Sequence, residues 1–476
     1  MTGVSLFFYG WFKPVYVLIL MGSIVFNYLV GLTISADRAA GRRRGWVLVG
    51  AIAANLGFLG YFKYTNLLVT SANQLLGKSW EIEAILLPLA ISFHTFQQIA
   101  YLVDIQKGKC EEHSFLNYCL FVTFFPQLIA GPIVHHNEMM PQLRRPVNRG
   151  FLSPWTSLGL TVFAVGLFKK SGIADTFALY ADTVFDAAAQ GGRISLIEAW
   201  GGALSYTFQI YFDFSGYSDM AIGLGLLFGV RLPINFNSPY KSISIIEFWR
   251  RWHITLSRFL RDYLYIPLGG NRFGPLRRST NLMITMLLGG LWHGANWTFL
   301  AWGGLHGSYL LLNHLWRTTT GRAAPSSPLG RAVGWGLTFL AVVVAWVFFR
   351  AASFEAAFVV IKGMAGLNGV ALPSVILAQA GALGETLGRW GVEALPGKMP
   401  YFFGATEIAA LAGALAVCLL LPNVNEALIR RRRGRAGGRA WTLWREAPLW
   451  AVAGGAAAAF SLFGVMRENS FIYFQF

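Results

Sequence analysis

The stretch GGLWHGANWTFLAWGGLHG, residues 289–307, sets two imidazoles, His293 and His306, inside a long apolar run. An ionisable group at membrane depth is costly, so a histidine there marks a functional candidate. Gly294 and Ala295 follow His293 and leave room beside it for a ligand. A neutral imidazole can take a proton from a hydroxyl, the step that general-base catalysis requires. The motif by itself fits two readings, a base or a histidine satisfied in helix packing. Upstream by 293 − 253 = 40 residues, His253 stands in FWRRWHITLS. That separation accommodates a turn and a return helix, so the two rings can meet in space. The alternative is a solvated histidine at the membrane surface. His306 follows His293 by thirteen residues, which on one continuous helix is roughly 140° of rotation. The two would then share no face, and His306, like His314, is expected to pack rather than to join a two-histidine metal site.

A fourth candidate is YFDFSGYSDMAIGLG, residues 211–225. Its aspartates, Asp213 and Asp219, lie roughly 120° apart on a helix and form no obvious carboxylate dyad. With Ser215 and Tyr217 they either line a polar lumen or order neighbouring helices. Trp292 and Asn296 beside His293, and Arg250 and Trp252 beside His253, complete the candidate supporting and cavity-lining residues. The pair His135/His136 follows GPI in an expected loop and is assigned no metal. No Walker A loop, dinucleotide fingerprint, HExxH or His-x4-Asp motif occurs. Neither a metal nor a permanently bound cofactor is expected. Cys110, Cys119 and Cys418 lack the paired spacing of a disulfide framework or zinc site.

The elements that must position these residues are membrane helices. Of the 476 residues, 55% are hydrophobic and 13% charged, outside ordinary soluble usage. Apolar blocks recur from end to end, and about ten to twelve spanning or re-entrant helices are expected. The first block, at 4–34, lacks a basic n-region and a small-residue cleavage site, so it is expected to be retained as the first span rather than removed as a signal peptide. The block at 195–230 fits one tilted helix or a broken pair. The net charge of +17 is concentrated in short loops, at Arg38 with Arg42–Arg44, Lys107/Lys109, Arg144/Arg145/Arg149, Arg277/Arg278 and Arg430–Arg433 with Arg435. This is the pattern of the positive-inside rule and not of a nucleic-acid site. It puts the N-terminus outside and the 424–447 loop in the cytoplasm. The chain is expected to form one polytopic domain over 1–476. Residues 231–279 mix aromatics and charges and read as a re-entrant or interfacial segment. A helix is expected there at about 243–265, with Arg258 and Asp262 paired and Phe248, Trp249 and Trp252 on one face. Residues 365–404 read as a Gly/Pro-punctuated loop. No internal repeat is visible, which counts against a repeat-built transporter.

Long motifs in this chain resemble the membrane-bound O-acyltransferase (MBOAT) family. They are NFNSPYKSISIIEFWRRWHITLSRFLRDYLYIPLGGNR, MLLGGLWHGANWTFLAWGGLHG, FFPQLIAGPIVHHNEMMPQL, QIYFDFSGYSDMAIGLG and the terminal FIYFQF. The resemblance covers nearly the whole chain. It is nearest the bacterial branch that holds the alginate O-acetylation membrane subunit and the D-alanyl transfer protein of teichoic acid, and better for the former. It implies an all-α integral membrane protein, with a ring of helices around a central acyl-transfer cavity in the bacterial inner membrane. It implies acyl transfer from a cytoplasmic donor, acetyl-CoA, to a hydroxyl. The invariant histidine of the family's WHG motif falls on His293, and its second polar position falls on His253. Asp213, Ser215, Tyr217 and Asp219 match the family's polar stretch, without individual roles. The resemblance further implies a periplasmic SGNH-type acetyltransferase or acetyl-carrier subunit as partner, with membrane lipid around the chain. Alginate, another exopolysaccharide, cellulose or peptidoglycan all stand as final acceptors. An acyltransferase using a longer acyl chain, an acyl or lipid-linked sugar transporter, and a secretion scaffold are the rival readings.

Overall fold

A computed structural model describes residues 1–429 apart from 12, 43, 84, 130, 145–153, 322–324, 326, 398 and 403, and beyond them residues 454–456, 459 and 461. The Arg430–Arg435 cluster, most of the 424–447 loop and the terminal FIYFQF lie outside the described residues.

The expected first span is divided into α1 (Thr2–Gly10) and α2 (Val15–Ala39). Pro14 sits at the junction, where its ring opens a helix but cannot continue one. Next come α3 (Gly45–Leu76) and α4 (Ile91–Gln106). Asn27 and Asn55 exchange two amide hydrogen bonds of 3.0 and 2.8 Å between α2 and α3, the interhelical glue expected where no water competes. Three short helices follow, α5 (Phe115–Thr123), α6 (Phe125–Leu128) and α7 (His136–Leu143). Then α8 (Pro154–Leu167) runs through a π-helical turn, Phe168–Ala174, into α9 (Asp175–Ala189).

The apolar block at 195–230 is one helix, α10 (Leu196–Leu227), opened by a Ser195–Glu198 capping box and buried along nearly its whole length. It lies against α8 through two pairs of glycines. A Cβ on Gly216 would meet the Gly166 carbonyl at 2.6 Å, and one on Gly223 would meet the Gly159 carbonyl at 2.7 Å. Small residues at these crossings let the backbones touch.

The chain then forms α11 (Ile245–Arg251), α12 (Ile254–Leu260) and a second π-helical turn, Arg261–Tyr265. It continues as the hairpin of α13 (Gly274–His293) and α14 (Trp297–Thr320), followed by α15 (Pro328–Arg350) and α16 (Phe354–Met364). The expected loop at 365–404 carries structure of its own. Strands β1 (Val370–Pro373) and β2 (Val392–Leu395) pair in parallel, Val370 opposite Val392, and enclose α17 (Ser374–Gln379) and α18 (Ala382–Arg389). The last long helix is α19 (Ala405–Leu420).

Five stretches among the described residues are long and apolar enough to cross a membrane: Val15–Ala39, Gly45–Leu76, Trp155–Ala189, Pro328–Arg350 and Ala405–Ala427. The protein is an all-α, multi-pass membrane protein with one small sheet. The core gathers on α10, α11, α14 and α15, where Trp252, Trp302 and Trp346 are fully buried.

Candidate active site

The helix expected over 243–265 is interrupted. His253 adopts φ 40° and ψ 55° between α11 and α12, a left-handed conformation that a bulky residue takes only when its surroundings impose it. The imposing element is the extended segment before α11. The Asn237 N–H donates to the Arg251 carbonyl, and the Ile254 N–H donates to the Asn235 carbonyl, both at 2.9 Å. The π-turn that starts at Arg261 also undoes the expected Arg258–Asp262 pair, because the i,i+4 register is lost where it begins. Arg258 instead grips Glu138 on α7 with two bonds of 2.6 and 2.9 Å, and Asp262 takes Arg261 at 2.7 Å.

The side chain of His253 is fixed by the same segment. Its Nδ1 lies 3.0 Å from Asn235 Oδ1. That oxygen also accepts the Thr255 backbone N–H at 3.3 Å and the Thr255 hydroxyl at 3.0 Å. The Thr255 hydroxyl is free to donate because its oxygen accepts the Ile133 N–H at 3.0 Å. A backbone N–H can only donate, so Asn235 Oδ1 is an acceptor and Nδ1 of His253 carries the proton. The other ring nitrogen, Nε2, is buried with no partner in hydrogen-bond range among the described residues. In the neutral ring it presents a lone pair.

His293 is the last residue of α13. The chain turns at once: Gly294 is extended, with its α-carbon against the Phe299 ring where a side chain would not fit, and Asn296 caps α14 by accepting the Thr298 N–H at 3.1 Å. Asn296 also donates to the Ala352 carbonyl at 2.8 Å. It therefore supports the turn and reaches no catalytic group. The ring of His293 is walled by Trp292, Trp302 and Phe349, with centroids at 5.0, 5.1 and 5.1 Å, and His253 stands at 6.3 Å. The turn and return helix inferred between the two histidines exists, and the rings meet.

The rotation argument for His306 loses its premise, since His293 and His306 lie on two helices of a hairpin and not on one. Trp302 stands between them, 4.8 Å from His306. His306 packs: its Nδ1 accepts the Trp249 indole N–H at 3.3 Å, and its ring lies parallel to Phe248. Trp252 is buried against Phe236 and Trp346 at 5.0 and 4.9 Å, and Trp292 stacks on Phe96. Of the expected aromatic face, Phe248 and Trp252 turn to protein. Arg250 is exposed.

The polar stretch on α10 divides by face. Asp213 holds Lys170 at 2.8 Å and Asp219 holds Lys169 at 2.6 Å, both on the π-turn after α8. These aspartates therefore order helices, and neither points a free carboxylate at the histidines. The neighbouring face touches the site instead. Phe214 packs edge-on to His253 at 4.7 Å, and Ser218 accepts from the Asn235 amide at 3.3 Å. Ser215 is buried and Tyr217 half-buried.

Two contributors had no motif to mark them. Asn235 sits in NFNSPY, unremarkable until folded. Lys63 is a lone lysine in the apolar run GYFKYTN, a signal that was available. It is buried, and its amine donates to the carbonyls of Trp292 and, at 3.1 Å, His293.

His135 and His136 belong to a separate network. Tyr263 bridges Asp104 and His135 at 2.9 Å each. Glu112, in the loop after α4, lies 3.5 Å from His136 and takes Arg144 at 2.6 Å. Burial pushes the Glu112 carboxyl up, but the Ser114 N–H and Arg144 outweigh it and hold it below the usual carboxylate range.

Comparison with known proteins gives the family. Residues 108–358 match the model of the MBOAT, membrane-bound O-acyltransferase, family. This range holds both histidines and Asn235. The chain is 49% identical to a peptidoglycan O-acetyltransferase of Helicobacter pylori, over 77% of this chain and 73% of that protein. It is 45% identical to the "Probable alginate O-acetylase AlgI" of Pseudomonas aeruginosa, over 76% and 68%. A teichoic acid D-alanyltransferase of Streptococcus thermophilus is more distant, at 29% over 55% and 68%. With a matched family model across its centre and relatives this similar over most of its length, the chain belongs to the membrane-bound O-acyltransferase family and is a multi-pass acyltransferase.

Proposed function

We propose that the protein is an O-acetyltransferase of a bacterial inner membrane, passing acetyl from cytoplasmic acetyl-CoA toward an exopolysaccharide or other cell-envelope polymer. The observation that carries the reading is the pairing of His253 and His293. Two buried imidazoles from separate helix ends face each other at 6.3 Å, one with its tautomer set by Asn235. The relatives' names, alginate and peptidoglycan O-acetylation, supply the acetyl group and the class of acceptor.

In this mechanism His293 takes the proton of the acceptor hydroxyl as its oxygen attacks the thioester carbonyl. The new C–O bond forms, the C–S bond breaks, and the proton passes to the departing thiolate. His253 orients the reacting groups. As a neutral ring it has already given its one N–H to Asn235, so stabilising an oxyanion, the other role open to it, would require an imidazolium. Basic residues at the cytoplasmic ends of the helices suit the phosphates of the donor. Arg277 and Arg278 lie in the first two turns of α13, and His293 ends it, about 24 Å or slightly less away along the axis. That is most of the thickness of the hydrocarbon layer, about 30 Å. The pantetheine arm would therefore reach inward while the acceptor comes from the periplasmic side. No cofactor is held permanently in this scheme. A periplasmic SGNH-type acetyltransferase or acetyl-carrier subunit receives the group.

The test is CoA release by the purified chain given acetyl-labelled acetyl-CoA, beside His293→Ala protein that elutes alike. Turnover in the wild type and its loss in the variant support the reading, and the label's destination names the acceptor. Equal turnover in both removes His293 from the chemistry.

A further inference from the structure

We propose that Lys63 is a positioning residue that fixes the catalytic end of α13. This rests on the reading of His293 as the base. The last carbonyls of a helix have no partners within it. Here α14 begins after only three residues and the chain at Gly294 is extended, so no closing turn covers them. Side chains of α3 do so instead. Tyr64 donates its hydroxyl to the Leu291 carbonyl at 2.8 Å. Lys63 donates to the Trp292 and His293 carbonyls and lies 3.5 Å from Ser92 Oγ. Three consecutive carbonyls, ending at His293, are thus held by two consecutive residues of another helix.

A hydrogen-bond donor at this end is favoured by the helix dipole. Among the described residues Lys63 pairs with no carboxylate, so its amine is held by neutral oxygen acceptors, chiefly these carbonyls. An amine this deep is expensive in a membrane, and plain helix packing does not need one. The Trp297–Ser71 bond of 3.0 Å already anchors α3 to α14 further along. Lys63 lies outside residues 108–358, the part that matches the family model, yet it touches the backbone of the proposed base.

The experiment compares Lys63→Met, Lys63→Gln, Tyr64→Phe and Ser71→Ala in the full chain with acetyl-CoA as donor. A misplacement of the base near 1 Å costs about 10²-fold. Lys63→Met is expected to lower kcat by about that factor with KM for acetyl-CoA unchanged, since only transition-state geometry is lost. Lys63→Gln, which keeps N–H donors, is expected to recover part of it, and Ser71→Ala to match the wild type. Wild-type kcat in Lys63→Met overturns the proposal. Should Lys63→Met fail to fold, Tyr64→Phe decides: a lower kcat at unchanged KM supports the proposal, and an unchanged kcat overturns it. A second readout needs no turnover, the rate at which diethyl pyrocarbonate modifies His293, followed by peptide mass spectrometry. If the wild type does not use acetyl-CoA, the functional reading falls. The His293 rate in Lys63→Met against wild type then still judges the positioning, a changed rate for it and an equal rate against it.

Discussion

Two pairs of buried histidines occupy this protein in opposite ways. His135 and His136 are neighbours in sequence, and each sits beside a carboxylate, Asp104 at 3.8 Å and Glu112 at 3.5 Å. Tyrosine and arginine complete a network that ties α4, α7 and the π-turn after α12 together. His253 and His293 are distant in sequence, stand at a helix break and a helix end, and are walled by aromatic rings. Among the described residues, the only side chain that His253 hydrogen-bonds is a neutral amide, and its Nε2 has no partner. His135 and His136 stand against carboxylates, whereas His253 has one nitrogen held by a neutral amide inside an aromatic wall, a setting that suits the orienting role proposed for it.

This contrast predicts an ordered series of effects. The largest is His293→Ala, expected to cut CoA release by about 10²–10⁴-fold, while His136→Ala leaves kcat unchanged in protein that still folds. Equal losses in both would erase the distinction between the pairs. Next is Asn235→Ala, which frees the His253 ring to take either tautomer. A loss of about 10–10²-fold in kcat is expected, as for other residues that orient a functional histidine, with a displaced pH–rate profile. An unchanged rate would show that the tautomer is immaterial.

Smaller effects belong to the structural pair. Glu112→Gln is expected to cost about 1 kcal/mol of stability, because one partner, Arg144, is half exposed and screened. The pH dependence follows in sign. The folded protein holds the Glu112 carboxyl below its unfolded value. Its contribution is complete above the unfolded pKa and disappears as pH falls through the folded one. A melting temperature that drops on acidification in wild type, and drops less in Glu112→Gln, would confirm it. The smallest effect is Arg250→Ala, within about 0.5 kcal/mol in stability and with unaltered kcat.

The sequence revealed these features unevenly, for physical reasons. His293 was legible because imidazole in a greasy segment is costly and the residues beside it are small. Its meeting with His253 was allowed by the forty-residue separation, which left a solvated surface histidine equally open. The helix break that orients His253 was not, because nothing in FWRRWHITLS forces a positive φ. The cause lies in the backbone of Asn235 and Asn237. Asp213 and Asp219 were correctly separated from a carboxylate dyad, but their partners Lys169 and Lys170 sit on a different helix, beyond the reach of local periodicity. Asn296 reads as a neighbour of the base and proves to be a helix cap, the commoner fate of an asparagine before a helix. Five stretches among the described residues pass a length and apolarity test for crossing lipid, and the expected ten to twelve spanning or re-entrant helices include others that do not. Helices such as α10, walled by protein, need not meet the apolarity that lipid demands.

The ion pairs between the π-turn and α10 bear on how the chain is made. The stretch Trp155–Ala189 is synthesised before α10 and carries Lys169 and Lys170 near its middle. A lysine at the centre of an inserting helix costs about 2.5–3.5 kcal/mol. Lys170 travels with a companion, Asp175, on its own segment at 2.6 Å. Lys169 has its aspartate only once residue 219 has emerged from the ribosome. The charge of Lys169 thus meets its aspartate only on a segment made later, across the glycine-lined crossing of α8 and α10.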